Sequence, residues 1–264
     1  RRYYREGGEA ALARDEAARE AALRPIVAEL FDRSPAKGLA PHPVFWEAAR
    51  EKAFQQLQEV LARDAACFSA TGFRPQYLEW GFGLAGGRDV DPRSSPAPLV
   101  LGRGEDALTV VGKVDRIDVD DQGNFVVYDY KSGNSVPSWS DERQGLSLQL
   151  RVYLRAVGEL LLPEGRPVGA AYFSLPKADA REGLWHAEGA AKLNRFHRKR
   201  SAGLLSEEEW RRLLEETDAV AHEVARGVRS GEFPLTVRTD ECPRCRFRAA
   251  CRVDETAELE EETP

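Results

Sequence analysis

Two neighbouring stretches of the chain alternate apolar and polar residues with the period of a β-strand. They read LTVVGKVDRIDVD (residues 108–120) and NFVVYDYKS (residues 124–132), and the turn-like segment DDQGN joins them. This pattern predicts a β-hairpin. The aromatic, alternating stretch RPQYLEWGFGL (74–84) and the stretch VGAAYFSLP (168–176) are predicted as two further strands.

Apolar residues at helical spacing predict helices over much of the remaining chain. These helices cover residues 1–33, 42–64 and 145–161. A capping box formed by Ser206 and Glu209 predicts the start of another helix, which runs to residue 229 or so. The segment GGRDVDPRSSPAP between the first two predicted strands has the composition of a loop.

The order of these elements predicts the fold class. Helices come first, a hairpin-rich sheet follows, and a helix, a strand and another helix complete the chain. This order favours an α/β fold with a central mixed β-sheet flanked by helices over the strict alternation of a doubly wound fold. We predict one domain over residues 1–264: N-terminal helices over 1–70, a core sheet over 71–180, and a C-terminal helix with a cysteine-rich staple over 181–264.

Composition narrows the class of protein. With 264 residues, 42% hydrophobic and 31% charged, the chain can form a sizeable core and is expected to be globular. It has neither a transmembrane-length apolar run nor a signal-peptide pattern, so we expect a cytoplasmic protein without a membrane partner. A net charge of −6 argues mildly against nucleic-acid binding, but basic residues cluster at 194–200 and 242–252 and make a local basic face possible.

The predicted hairpin carries a set of charged residues that suits metal chemistry. Asp129 and Lys131 lie two positions apart and share one face of their strand, and antiparallel pairing can bring Asp115 close to Asp129. Converging carboxylates are hard ligands for Mg²⁺ or Mn²⁺, and a bound cation of this kind can activate water. Lys131 is placed to orient that water or to stabilise developing negative charge. The alternative is a surface hairpin whose charged residues form ordinary ion pairs.

The helix that follows the hairpin adds Gln149 and Tyr153, which lie four residues apart on one face. The ordered set GKVDRID, DYKSG and QLRVY resembles the RecB-like branch of the PD-(D/E)xK nucleases. The stretch HPVFWEAAREKAFQQLQEVLARD (42–64), followed by FRPQYLEWGFG (73–83), is similar to the C-terminal nuclease domain of AddB-type helicase–nuclease subunits. The resemblance implies a restriction-endonuclease-like core and a metal-dependent nuclease.

The resemblance also implies roles for individual residues. Lys131 is expected to be the catalytic lysine, and Gln149 and Tyr153 to line the site or hold the DNA strand. The expected metal ligands are Asp115, Asp129 and, on the strand YLEWGFG, Glu79, for which an exposed strand residue is the alternative. Asp118 is expected to be structural because its odd offset from Asp115 places it on the other face of a regular strand.

One feature of the family is missing from this sequence. Relatives often carry a metal-binding histidine on an early helix, and the segment EGGEAALARDE has none. His42 precedes the second helix and lies in the wrong context. The remaining histidines, His186, His197 and His222, are expected to be ordinary surface residues.

Three cysteines are crowded near the C-terminus. Cys242, Cys245 and Cys251 form the pattern C-x₂-C-x₅-C, which in a cytosolic protein suggests metal or cluster ligation. The family resemblance implies a [4Fe–4S] cluster that joins the two ends of the domain, with zinc as the alternative. The fourth ligand is expected either upstream of Arg1 or at Cys67, for which a buried free thiol is the competing interpretation.

Together these features predict a metal-dependent DNA nuclease. The family resemblance implies that this nuclease is an exonuclease that acts on single-stranded DNA. The expected process is DNA end processing in recombinational repair. No Walker A sequence is present in this chain, so a helicase motor is expected in another domain or subunit. Two alternatives stay open: a stand-alone nuclease like those of CRISPR adaptation, and a non-catalytic, cluster-stapled DNA-binding module.

Overall fold

The computed structural model describes residues 1–33, 42–84, 90–104, 107–133, 136–193, 196, 203–232, 242 and 245–251. Within it the chain divides into two compact units, Arg1–Ala221 and His222–Pro264. In the described part of the chain, no helix has the length and apolar character needed to cross a lipid bilayer. The expectation of one domain over the whole chain stays a prediction.

Helices and strands follow one another in a mixed order. The first half contains α1 (Arg2–Gly7), α2 (Glu16–Arg33), α3 (Pro43–Thr71), β1 (Arg74–Phe82), β2 (Leu99–Leu101), β3 (Leu108–Val110), β4 (Gly112–Val119) and β5 (Asn124–Lys131). The second half contains α4 (Trp139–Arg143), α5 (Gln149–Leu160), β6 (Arg166–Ser174), β7 (Asp179–His186), β8 (Leu204–Leu205), α6 (Glu207–Ser230) and α7 (Arg248–Cys251). Short 3₁₀ turns occupy Glu9–Ala11 and Gly189–Lys192.

Six of the strands form one mixed sheet in the order β1-β4-β5-β6-β7-β8. The pairs β5/β6 and β7/β8 are parallel and the other neighbours are antiparallel. Helix α5 lies in the crossover between the parallel strands β5 and β6. This architecture confirms the predicted α/β fold with a central mixed sheet and is consistent with a restriction-endonuclease-like core.

Several element boundaries differ from the sequence prediction. The stretch predicted as one strand from residue 108 is two strands, because β3 pairs with β2 in a separate two-stranded sheet. Helix α3 continues to Thr71, where Gly72 ends it with a left-handed φ of 79°. Helix α5 begins at Gln149, four residues later than predicted, and β7, β8 and α4 were not predicted at all.

The predicted capping box at the start of α6 is confirmed. Ser206 N donates to Glu209 Oε2 at 2.9 Å, and Glu209 N donates to Ser206 Oγ at 3.3 Å. Two backbone donors at the helix start are therefore satisfied by side chains of the local sequence.

Strand β5 separates two hydrophobic cores because its side chains alternate between the two faces of the sheet. Phe125 and Val127 pack in one core with the buried residues of α5, Leu150 and Leu154 among them. Val126 and Tyr128 pack in the other core with Val60 and Cys67 of α3. Asp129 and Lys131 continue the alternation toward the α5 face.

On the α3 face, Arg116 of β4 forms a buried forked ion pair with two acids. Its Nη1 and Nη2 lie 2.8 and 3.0 Å from the two carboxylate oxygens of Asp64 on α3. Its Nε and Nη2 each lie 2.6 Å from an oxygen of Asp118, two residues further along β4. Burial raises the pKa of Asp118, and Arg116 opposes that rise. Asp118 is thus part of this structural network, as its odd offset from Asp115 indicates.

We expect Arg116→Met to lower the free energy of unfolding by about 3–5 kcal/mol, because two buried carboxylates then lose their shared counterion. Denaturant unfolding followed by circular dichroism measures the change. Arg74→Met is the matched control, since Arg74 also lies in the sheet but pairs at 2.7 Å with Asp121, whose side chain is 81% exposed. That exposed pair contributes about 1 kcal/mol at most. Equal losses in the two variants would contradict the structural role of the buried network.

Candidate active site

Two carboxylates meet on the α5 face of the sheet, one from each strand of the central hairpin. Strands β4 and β5 pair with Arg116 opposite Tyr128, and this register continued by one residue places Asp115 opposite Asp129. Tyr130 N donates to Asp115 Oδ2 at 2.8 Å. Burial raises the pKa of Asp115, and the negative charges of Asp129 and Glu79 act in the same direction. The two aspartates are therefore close enough to repel each other.

Lys131 supplies the positive charge beside this pair. Its Nζ lies 2.6 Å from Asp129 Oδ2 and donates to Gln149 Oε1 at 3.1 Å. The same ammonium lies 4.9 Å from the ring centroid of Tyr172, within the range of a cation–π contact. Lys131 is thus fixed by three neighbours while its side chain stays 27% exposed.

Gln149 joins the carboxylate, the lysine and Tyr153. Its Nε2 donates to Asp129 Oδ1 at 2.7 Å and to Tyr153 OH at 3.1 Å. Its Oε1 faces Lys131, so each amide atom meets a partner of the complementary type. Burial raises the pKa of Tyr153, and Gln149 opposes the rise. The structure therefore brings together five of the predicted site residues, Asp115, Asp129, Lys131, Gln149 and Tyr153.

Glu79 approaches the site from β1 with an unusual backbone. Its φ is 62°, in the left-handed region that residues with a side chain rarely adopt, and Asp91 N donates to its carbonyl at 2.9 Å. Its carboxylate forms an ion pair with Lys113 of β4. Glu79 is close enough to raise the pKa of Asp115, but its role as a metal ligand stays a prediction.

The chemistry of the donors fits a hard divalent cation. Asp129 Oδ2 is buried and accepts no hydrogen bond from the described residues; the nearby Lys131 ammonium forms only an ion pair with it. Carboxylate oxygens are the ligands that Mg²⁺ and Mn²⁺ prefer. In the part of the chain that the structure describes, no three acidic, histidine or cysteine side chains converge on one point. Asp115 and Asp129 are the two carboxylates that the hairpin brings together here, and their role as metal ligands stays a prediction.

The histidines of the described residues lie in different settings. His42 is the N-cap of α3, where its side chain accepts from Val44 N at 3.4 Å. The expectation of a surface position is wrong for His186, which is 2% exposed and lies 2.8 Å from Glu207. His222 is half-buried in the second unit, and His197 lies outside the described residues.

Cys67 behaves as a buried thiol. Its Sγ lies 3.6 Å from Thr71 Oγ1 in the core between α3 and the sheet. Burial raises its pKa to about 11, so the thiol stays protonated at neutral pH. A protonated, buried thiol is a poor metal ligand.

The three C-terminal cysteines lie in the second unit, Cys242 and Cys245 before α7 and Cys251 at its last residue. Cys245 N donates to Cys242 O at 3.2 Å, and Cys251 N donates to Phe247 O at 2.8 Å. None of the four cysteines, all of which lie among the described residues, forms a disulfide. Within those same residues the thiols are not gathered into a metal-binding group, so this arrangement does not fit a [4Fe–4S] cluster or a zinc ion.

Sequence reasoning missed two residues that contact the site, Lys113 and Tyr172. Lys113 lies two residues before Asp115 in the same strand and therefore on the same face, so the alternation of the sequence was enough to identify it. Tyr172 lies beside Asp129 in the parallel register of β5 and β6, which no local pattern reveals.

Comparison with known proteins agrees with this geometry. The sequence signature described as "PD-(D/E)XK nuclease superfamily" matches residues 1–252. Curated relatives include proteins named as a subunit of an ATP-dependent helicase/deoxyribonuclease. That of Desulforudis audaxviator is 36% identical over 129 residues, which is 45% of this chain and 10% of the relative. That of Caldanaerobacter subterraneus subsp. tengcongensis is 32% identical over 157 residues, or 57% of this chain and 13% of the relative.

The chain thus spans only about a tenth of the length of these relatives. The superfamily match, by contrast, extends over almost the whole chain and includes both strands of the hairpin and helix α5. Paired aspartates, an adjacent lysine and a glutamine that joins them lie inside the matched region. By its sequence signature and its fold, the chain belongs to the PD-(D/E)XK nuclease superfamily.

Proposed function

We propose that the chain is a metal-dependent deoxyribonuclease, a hydrolase of DNA phosphodiester bonds. The observation that carries the proposal is the placement of Lys131 Nζ 2.6 Å from Asp129, which faces Asp115 across the hairpin. Phosphodiester hydrolysis requires charge neutralisation at the phosphate and an oriented water, and these groups can supply both.

Asp115 and Asp129 would hold Mg²⁺ or Mn²⁺, as PD-(D/E)XK nucleases generally do. A bound divalent cation supplies Lewis-acid polarisation of the phosphate and lowers the pKa of water. Lys131 donates a hydrogen bond to the attacking water or to a phosphate oxygen as negative charge develops. Gln149 keeps Lys131 and Asp129 in position, and Tyr153 braces the amide of Gln149 from the same helix face.

The substrate proposal is single-stranded DNA, cut from an end, during the processing of double-strand ends for recombinational repair in the cytoplasm. The names of the curated relatives, which join a helicase to a deoxyribonuclease, support a DNA substrate and a helicase partner. The basic segment at 194–200 lies largely outside the described residues, and the part of both basic segments, 194–200 and 242–252, in DNA binding rests on composition.

A [4Fe–4S] cluster on Cys242, Cys245 and Cys251 is a separate proposal. The spacing of the thiols and the family resemblance support it, whereas the arrangement of the described residues does not.

We expect Asp129→Asn to abolish cleavage of labelled single-stranded DNA in Mg²⁺ and in Mn²⁺, because the variant loses the charge that attracts the cation. Thermal unfolding and DNA binding, followed by fluorescence anisotropy, are expected to stay near wild type. Asp121→Asn, at an exposed position of the same hairpin, is the control and keeps full activity. An Asp129→Asn protein that cuts at the wild-type rate would show that the site is wrongly assigned.

Lys131→Ala is expected to lower kcat by about 10²–10³-fold without loss of metal binding, because the lysine stabilises charge and is not a ligand. Calorimetry with Mn²⁺ tests the metal, and Lys52→Ala on the exposed side of α3 is the control. If Lys131→Ala instead loses Mn²⁺ affinity and regains activity at high Mn²⁺, the lysine organises the carboxylates and does not act on the reactants.

For the cluster, we expect protein purified without oxygen and supplied with iron and sulfide to turn brown, with stoichiometric iron and sulfide by chemical analysis. Cys245→Ser removes a thiolate and is expected to lose both the colour and thermal stability. Cys67→Ser is the control and keeps the colour. A colourless protein with one bound zinc would replace the cluster by zinc, and a protein with neither metal would end both proposals.

A further inference from the structure

The buried carboxylate of Glu142 contacts α5 and β6 next to the candidate active site, although it is not one of the predicted site residues. Glu142 is close to the end of α4 and is fully buried, with an exposed fraction of 0%. Its Oε1 accepts hydrogen bonds from Tyr172 OH at 2.5 Å, from Ser147 Oγ at 2.7 Å and from Leu150 N at 3.3 Å. One oxygen thus joins α4, the loop before α5, the first turn of α5 and strand β6.

The first connection determines where α5 begins. The N-cap residue of this helix is Leu148, whose side chain cannot accept a hydrogen bond. Glu142 takes the place of a capping residue by accepting from Leu150 N, and its negative charge is favourable at a helix N-terminus. Gln149 lies directly before Leu150, so Glu142 holds the residue that bridges Asp129 and Lys131.

The second connection runs through Tyr172. This residue is paired with Asp129 in the parallel register of β5 and β6, and the face of its ring lies 4.9 Å from Lys131 Nζ. Its hydroxyl donates to Glu142 and lies 2.8 Å from Ser147 Oγ, which donates to the same carboxylate oxygen. Holding the hydroxyl fixes the direction of the ring axis and the position of the ring, and the ring in turn limits where the ammonium of Lys131 can lie.

Stability alone does not account for a carboxylate at this position. Burial raises the pKa of Glu142, and the hydrogen bonds from Tyr172, Ser147 and Leu150 oppose that rise. A positive charge, Arg151, lies with its Nε 4.0 Å from Glu142 Oε2 and is itself almost fully buried. A buried ion pair of this kind is often no more stable than well-packed apolar residues of similar volume.

We propose that Glu142 is a positioning residue for Lys131, acting through Gln149 on one side and through Tyr172 on the other. The effect on catalysis rests on the proposed nuclease function; the effect on the position of Lys131 does not. Glu142 touches none of the reacting groups, so it is expected to alter the rate of the chemical step more than the binding of DNA.

Activity is tested with two replacements of Glu142 that differ in their ability to accept hydrogen bonds. Glu142→Leu removes the acceptor and is expected to lower kcat on single-stranded DNA by about 10–100-fold while KM stays within about twofold of wild type. Glu142→Gln keeps an acceptor oxygen for the same three donors and is expected to recover most of kcat. An equal loss in both variants, or a loss confined to KM, would overturn the proposal.

Tyr172→Phe separates the second connection and guards against misfolding, since phenylalanine keeps the ring and its packing. We expect kcat to fall, and to fall no further when the change is added to Glu142→Leu, because both act through one hydrogen bond. Tyr3→Phe is the matched control: it also removes a buried tyrosine hydroxyl, which donates to Ala11 O at 3.2 Å, and is expected to leave kcat unchanged. Additive losses for Tyr172→Phe and Glu142→Leu would contradict coupling through Tyr172.

A measurement without DNA or metal decides the position of Lys131 directly. In protein carrying ¹³C-labelled lysine, the ε-methylene protons of Lys131 are expected to be shifted upfield by the Tyr172 ring, with Lys131→Arg identifying the signal. Glu142→Leu is expected to move that signal toward the position of exposed Lys52, whereas Glu142→Gln and Tyr3→Phe keep it in place. A signal that does not respond to Glu142→Leu would overturn the proposal. If wild-type protein fails to cleave DNA, the proposed function fails, and this spectrum still decides the role of Glu142.

Discussion

The forked ion pair of Arg116 connects helix α3 to the hairpin that carries Asp115 and Asp129. One guanidinium binds Asp64 on α3 and Asp118 on its own strand, and it also lies 5.2 Å from the ring centroid of Tyr128 on β5. Because Arg116 is adjacent to Asp115 in a strand, holding its side chain against α3 obliges Asp115 to point to the opposite face. The direction of the first site carboxylate is therefore a consequence of a structural contact on the other side of the sheet.

The two faces of the sheet carry different sets of charged residues. On the α3 face, Arg116 is the shared counterion of two buried carboxylates and joins segments that are 52 residues apart in sequence. On the α5 face, Asp115 and Asp129 are brought together close to Glu79; burial raises the pKa of Asp115, and the negative charges of Asp129 and Glu79 act in the same direction. An excess of negative charge at one point is costly for a fold, but it is the condition that attracts a divalent cation.

Helix α5 completes the site because its start is determined from outside the helix. Its own sequence provides no capping side chain, and Glu142 accepts from its first turn instead. Gln149 then reaches both Asp129 and Lys131, and Tyr172 of β6 contacts the same lysine through its ring. The relatives that match this chain are about ten times longer than the matched segment.

The sequence by itself determined which residues share a face. Alternation along two strands put Asp129 and Lys131 together and separated Asp118 from Asp115, and helical spacing put Gln149 beside Tyr153. Only the tertiary structure decided that Tyr172 lies beside Asp129, that Glu142 and His186 are buried, and that β3 leaves the main sheet to pair with β2. The reason is physical: a local period reports the direction of neighbouring side chains, whereas strand order and burial depend on contacts between residues far apart in the chain, whose pairing no local pattern encodes.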